Sequence, residues 1–526
     1  MKYILTPLLI TLYPFLLTLA NNRADVNISQ TLLPLTVVAA AVLALALACR
    51  RIYNCAAKTS AVTTIFVFLF FSYGHIEDAM FYSFGNANDN ILVFAMAIIS
   101  LAAAMKIKQI SKAAADDINT VFIAFAVTIV LFPLFTISGR AWSDYTHKED
   151  LTGIFEETPF DAAKLDKASL PDIFHIYLDE YGRSDVLKEI YKIDNSEFIN
   201  YLRGKGFFVA DKSRCNYCYT DLSLLSTFNM GYLDKMTSRL GLAGEKDRSM
   251  AAKKLLWNNE VFKTAKKAGY KIITFNTGEL YTSITSSDVY YSPFTGSYHN
   301  AFYINMLLNL TPLPVILKFA GADPYLLYDA AANHRRTVMH PFEKIDEILA
   351  AKDGPIFVCL WVDSPHPPFV FDEAGRHVTA LKRGAAAIDR WAIESEEDRS
   401  DYIVNYRKQL IFITLKTVEL IDKILKKPER RPVIILQSDH GPASRFEFEV
   451  IPSDALTFKE RFGILNAVYL GGKDAKTAGL YESITPVNIF RIIFSLYLGA
   501  DLKLLKDECF HSTWLKPYDF TNVSGR

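Results

Sequence analysis

Three apolar runs in this chain end in residues that bind metals or move protons. The run at 432–437 leads into Ser438-Asp439-His440-Gly441, that at 173–178 into Asp179-Glu180, and that at 355–362 into Asp363-Ser364-Pro365-His366. A buried strand that stops at a carboxylate and an imidazole sets ligand-type groups at a sheet edge. In an open, mostly parallel α/β sheet, chemistry collects in the crevice beyond the carboxyl ends of the strands. Three such endings point to one metal-dependent site. A fourth segment, 215–229, passes from turn-like polar residues into an apolar helical run, with Thr220 where an N-cap belongs. A hydroxyl there lies at the positive end of a helix. That position favours a phosphoryl group and helps to stabilise an alkoxide, as a bound divalent metal also does.

The elements that must position these groups fall into two parts. The chain has 526 residues, 51% of them hydrophobic, and zero formal net charge. That is too long for one small domain and too apolar for disorder, and the balanced charge leaves no footprint for nucleic acid. The apolar excess is concentrated in five stretches, roughly 3–20, 31–49, 60–74, 90–105 and 119–138. Each approaches the roughly 20 residues a helix needs to cross a hydrocarbon core. The first starts with Lys2 but lacks a small-residue cleavage site, so it reads as a retained helix and not a signal peptide. Arg50, Arg51 and Lys58 mark the second loop, and Lys106, Lys108 and Lys112 the fourth. The third loop carries only Glu77, Asp78 and Asp89. Positive loops stay in the cytoplasm, which places the N-terminus inside and the large C-terminal part outside, in a multi-pass plasma (inner) membrane protein.

Residues 1–139 therefore read as a transmembrane domain of five helices, 140–168 as a polar linker, and 169–526 as an extracytoplasmic domain. In that domain strands are expected at 173–178, 271–275, 355–362, 432–437 and 463–470. Helices are expected at 195–205, from Thr220, and at 251–268, 341–352, 402–427 and 486–498, the last with Thr485 as N-cap and Pro486 at the first position. Strands separated by helix-length segments imply right-handed crossovers and a doubly wound, mostly parallel α/β sheet. Of six cysteines, Cys49 and Cys55 read as free thiols and Cys359 as a core residue. Cys215 and Cys218 form C-x2-C without a second such pair, which argues against zinc. A local disulfide, or pairing of one of them with Cys509, stays open.

Asp179 after the first strand, a hydroxyl at Thr220 and a late Asp439-His440 together resemble the sulfatase/alkaline phosphatase superfamily. With five apolar helices ahead of an external domain, the chain is similar to lipoteichoic acid synthases, phosphoglycerol transferases and phosphoethanolamine transferases. The resemblance covers most of 171–500. It implies an alkaline-phosphatase-like catalytic domain holding one divalent ion on Asp179, Thr220, Asp439 and His440, with Thr220 as nucleophile. Two carboxylates, a hydroxyl and an imidazole suit zinc or manganese ahead of magnesium or calcium.

The stretches 178–183, 364–369 and 438–442 are also similar to a group of sulfatase-like proteins of unassigned substrate. Neither Cys215 nor Cys218 lies in C-x-P-x-R, so sulfatase-type formylglycine is not expected. Where the transferases often end the first strand in Glu, this chain has Asp179 followed by Glu180. Register favours Asp179, with Glu180 a substitute or companion. Ser438 stands where Gly is common and narrows the site. His366, fixed between prolines at a strand end, reads as a phosphate-oxygen donor or general acid. His334, Arg335 and Arg336, like Arg183, either grip a phosphorylated head group or form a solvated face.

The activity implied is movement of a phosphoglycerol- or phosphoethanolamine-type head group, through phospho-threonine, from a membrane lipid donor to an envelope glycan or lipid. The rivals are a membrane-bound phosphodiesterase or phosphatase and a non-catalytic scaffold. Oligomeric state stays open.

Overall fold

The computed structural model describes residues 2–22, 28–84, 89–146, 150–245, 250–278, 282–294, 299–322, 330–351, 354–380, 393 and 395–526. The chain forms two compact units, one of residues 1–148 and 294–330, the other of 149–293 and 331–526.

In the first unit the N-terminal segment forms the helices α1 (Lys2–Asn21), α2 (Ile28–Tyr53), α3 (Ala56–Phe84), α4 (Asp89–Gln109) and α5 (Lys112–Thr146). All five are long and apolar enough to cross a membrane. The helices outrun the apolar stretches, and α5 continues through 140–146, into the segment read as a linker. Two short helices from far along the chain, His299–Asn309 and Leu313–Phe319, pack with them. Neither is among the expected elements.

The second unit is built on the strands β1 (Ile173–Leu178), β2 (Phe208–Val209), β3 (Lys271–Phe275), β4 (Val289–Tyr291), β5 (Ile356–Val362), β6 (Phe369–Phe371), β7 (His377–Ala380), β8 (Val433–Gln437), β9 (Asn466–Leu470), β10 (Phe510–His511) and β11 (Thr521–Asn522). Seven of them form one sheet in the order β2-β9-β8-β1-β5-β3-β4. β8, β1, β5, β3 and β4 run parallel, and β9 is antiparallel to β8. Alternate residues of β1 supply the two cores, Ile173 and Tyr177 on one face, Phe174, Ile176 and Leu178 on the other. A sheet covered by helices on both faces reads as an unbroken apolar run, and each such side chain contributes about 1.5–3 kcal/mol on burial.

Some expected elements shift. The helix at 251–268 is two, Met250–Trp257 and Glu260–Ala268, because Asn259 restarts the helix by accepting from Phe262 N. The helix expected at 341–352 is Ala330–Ala350, with Pro341 inside. The helix Glu396–Leu425, the longest described in the second unit, begins earlier than expected, where the Ser395 side chain accepts from Asp398 N. Thr485 does not cap through its hydroxyl, which donates to Asp507 Oδ1 at 2.7 Å.

His175, on β1, is buried against Tyr177, Phe228 and Phe490 and lies 3.3 Å from Gln437 Oε1. Burial pulls its pKa from 6.5 to about 3. The folded pKa lies below the unfolded one, so the unfolded chain takes the proton first. Stability is therefore lost as pH falls from 6.5 towards 3, by roughly 1.4 kcal/mol per unit for one group. Thermal unfolding of the wild type and His175→Met between pH 7 and 4.5 should show a shallower acid dependence in the variant; equal slopes would remove His175 from the account.

Candidate functional site

β1, β5 and β8 are neighbours in the sheet, so the three ligand-bearing endings meet at one edge. β1 ends as Asp179 N donates to Val362 O at 3.0 Å, and Glu180 then takes a left-handed backbone with φ of 62°. A non-glycine residue there carries strain on the order of 1–3 kcal/mol. The kink sends Asp179 and Glu180 to different partners. Beyond β8, the Ser438 hydroxyl accepts from Tyr181 N at 2.9 Å and donates to His440 O at 2.7 Å. Ser438 thus staples the two strand-end loops together where a glycine could not. Gly441 fits for a steric reason: a Cβ there would meet Glu460 O at 1.9 Å.

One ligand atom each from Asp179, Asp439 and His440 lie within 4.8 Å of one another, and all three residues are buried. Among the described residues no other such group of three occurs. Thr220 is half-buried at the start of the helix Thr220–Asn229. It is the first helical residue and not the N-cap, which is Tyr219. Its hydroxyl has turned from capping to His440, with Oγ1 3.0 Å from Nε2. Ser223, one turn on, donates to Asp439 O at 2.8 Å and ties the helix to the loop.

The charges are arranged for a cation. Burial, followed by the charges of Asp439, Asp363 and Glu180, holds the Asp179 carboxyl well above its ordinary range. Burial also raises Asp439. Asp179 Oδ1 is buried yet accepts no hydrogen bond among the described residues. Burial, then Arg461 and His366, keep His440 neutral by pulling its pKa well below 6.5. With its Nδ1 3.2 Å from Gly441 O, the imidazole presents Nε2 as the lone-pair nitrogen. Two repelling carboxylates, an orphaned carboxylate oxygen and a neutral imidazole are what a divalent metal compensates. These residues fit the ion that the resemblance implies.

Glu180 stands outside that group. Its Oε1 accepts from Arg461 Nη1 at 2.9 Å and its Oε2 from Tyr402 OH at 2.8 Å. Arg461 also donates to Cys218 O and Gly441 O, both at 2.9 Å, and its Nη2 is 3.2 Å from His440 Nε2. Arg461 and Tyr402 are absent from the sequence reading because an arginine in the helix Ala455–Phe462 and a tyrosine on a long helix carry no local signal. Both Arg461 and Glu180 have side chains 3% exposed. Breaking such a pair leaves an uncompensated buried charge and costs about 3–5 kcal/mol. Arg461→Met should lower the denaturant midpoint of the purified protein accordingly; a midpoint at the wild-type value would show that Glu180 finds another partner.

His366 lies at the rim, its Nε2 3.9 Å from Glu180 Oε1 and its Nδ1 3.7 Å from Asp363 Oδ1. The imidazole also contacts Pro367 O. Its loop is held by Gln409, fully buried, whose Nε2 donates to His366 O at 3.0 Å while Oε1 accepts from Val370 N at 2.8 Å. His334 comes to the same rim, Nδ1 3.6 Å from Asp363 Oδ2, and burial takes its pKa to about 3. It is neutral and buried, so it does not serve as the solvated basic face. Arg183 is occupied with Asp185 and Ser213 O. Cys215, Cys218 and Cys509 are buried thiols without a disulfide.

No sequence profile of a known family matches the chain, and no curated protein matches it. Among solved structures, the C-terminal periplasmic domain of EcEptC from Escherichia coli in complex with Zn is 10% identical, with a TM-score of 0.44, over 70% of this chain and 95% of that one. The integral membrane protein lipooligosaccharide phosphoethanolamine transferase A from Neisseria meningitidis is 12% identical, with a TM-score of 0.39, over 95% and 96%. The phosphonate monoester hydrolase of Agrobacterium radiobacter is 12% identical, with a TM-score of 0.40, over 65% and 80%. At such identities and scores the likeness decides nothing about chemistry, which the side chains of this site must carry.

Proposed function

We propose that the protein is a membrane-anchored, metal-dependent transferase that moves a phospho-head-group from a lipid donor to an envelope glycan or lipid through a phospho-threonine at Thr220. The observation that carries this reading is the Thr220 hydroxyl, 3.0 Å from His440 Nε2 beside the Asp179, Asp439 and His440 group. Asp179, Asp439, His440 and Thr220 would hold the ion, zinc or manganese by ligand type. When bound, it supplies charge stabilisation for an alkoxide and a transferring phosphoryl group.

Thr220 Oγ, its proton released to solvent beforehand so that it enters and leaves the cycle as the alkoxide, attacks the phosphorus of the donor phosphodiester. The new Oγ–P bond forms as the bond to the lipid alcohol breaks, and that alcohol leaves with a proton from His366 Nε2. An acceptor hydroxyl then attacks the same phosphorus and gives its proton to His366, freeing Thr220. The head group is of the phosphoglycerol or phosphoethanolamine type. The five apolar helices support a lipid donor, since such a donor does not leave the bilayer. The loop charges support a cytoplasmic N-terminus and a catalytic unit on the opposite side.

The test is mass spectrometry of the full-length protein after incubation with membrane lipids. The expected result is a head-group mass addition on the peptide holding Thr220, absent in Thr220→Ala. A label released into solution and never retained on glycan or lipid would instead make the enzyme a phosphodiesterase.

A further inference from the structure

The chain returns to the membrane unit in the middle of the catalytic one. The helices His299–Asn309 and Leu313–Phe319 pack with the transmembrane helices, although they lie between catalytic segments 149–293 and 331–526. The helix His299–Asn309 buries Tyr303 and Leu307 among Ile10, Phe15 and Phe71, with the Tyr303 ring 6.4 Å from that of Phe15. The following turn lies on α3 at Gly74, whose N–H donates to Leu310 O at 3.2 Å. A Cβ at Gly74 would meet Asn309 O at 2.4 Å. A glycine inside a helix costs about 1 kcal/mol against alanine, and this close backbone approach is what requires it.

The second helix, Leu313–Phe319, packs on α4, with Val315 against Tyr73, Leu92 and Met96. Two of its apolar side chains stay open, Ile316 at 43% and Phe319 at 83% exposure. Beside Leu92 on α4, Ile91 and Phe94 are 66% and 71% exposed, as lipid-facing positions of a spanning helix are. The open face of Leu313–Phe319 therefore continues the lipid-facing surface of α4. It does so at the end of α4 that lies, by alternation, on the side where α5 delivers the chain to the catalytic unit. Exposed Lys318 sits between the two apolar side chains in sequence, placed to reach phosphate head groups while they enter the acyl layer.

We infer that the helices His299–Asn309 and Leu313–Phe319 are a second membrane attachment of the catalytic unit. Tyr303 and Leu307 lock it into the helix bundle, and Ile316 and Phe319 seat in the acyl chains of the adjoining leaflet. The inference does not depend on the chemistry proposed for Thr220.

The test uses the full-length protein in its native membranes, with a site-specific protease sequence placed between Thr146 and Asp150. Cleavage severs the first covalent connection. The C-terminal fragment should still sediment with the membranes in high salt. Gly74→Leu, and separately the pair Ile316→Asp with Phe319→Asp, should shift it into the supernatant, with its thermal transition reporting that it is folded. Release of the wild-type fragment on cleavage would overturn the inference, and so would retention of both variants. A second readout needs no cleavage. A fluorophore on Phe319→Cys, in a background with Cys49→Ala and Cys55→Ala, should be quenched by nitroxide-labelled lipids. Quenching by aqueous iodide alone, or by neither agent as for a site covered by another protein, would overturn the lipid assignment.

Discussion

Thr220→Ala is expected to abolish head-group transfer, with a loss of turnover on the order of 10⁴–10⁶ and little change in fold. Removing a covalent nucleophile takes away the step that splits one difficult displacement into two, and loss of one member of a concerted set costs nearly as much as loss of all. The half-buried hydroxyl lies 3.0 Å from His440 Nε2 and also hydrogen-bonds the Asp439 carboxylate, so its removal touches the site and no packing core. Thr220→Ser should retain a measurable part of the rate, because Oγ stays on the first turn of the same helix. The assay is transfer of a labelled head group from donor lipid under single-turnover conditions. A Thr220→Ala enzyme that keeps the wild-type burst would remove Thr220 from the mechanism.

The second large effect concerns the metal. Asp439→Asn keeps the shape of the residue but removes one of two buried carboxylates in the group of three. Loss of an outer-shell partner costs about 10–100-fold in metal affinity, and loss of a direct ligand should exceed that. Stability should respond with opposite signs in the two states. Without metal, the charge of Asp439 raises the Asp179 pKa, a mark of like-charge repulsion. The variant should therefore unfold no more readily than the wild type once both have been stripped by a chelator. With zinc or manganese at about a thousand times the dissociation constant, the wild type should gain about 4 kcal/mol and the variant almost none. Elemental analysis and thermal unfolding of the full-length protein, with and without chelator, read both effects. A wild-type protein that no divalent ion stabilises would end the metal reading and bring the scaffold alternative forward.

The main elements of the two parts were legible because each is written in local pattern. Five apolar stretches become α1–α5, and the runs ending at Asp179, Asp363 and Asp439 become β1, β5 and β8. A strand buried on both faces must be apolar along its length, so its abrupt polar ending is visible without coordinates. Asp439-His440-Gly441 could be singled out for the same reason. The antiparallel direction of β9 and the break at Asn259 were not legible, since strand polarity and a single helix restart depend on neighbours far along the chain.

At the site, residue types and their places at strand ends came from the sequence alone. Tertiary structure decided the rest. The left-handed backbone at Glu180 separates Asp179, which joins Asp439 and His440, from Glu180, which pairs with Arg461 and Tyr402. It also brought Thr220 to His440 in place of its own helix end, and laid the helices His299–Asn309 and Leu313–Phe319 on α1, α2 and α4. Chain order constrains what each segment can become. Which side chains share a charge, a hydroxyl or a lipid face is settled only when distant segments exclude water from one another.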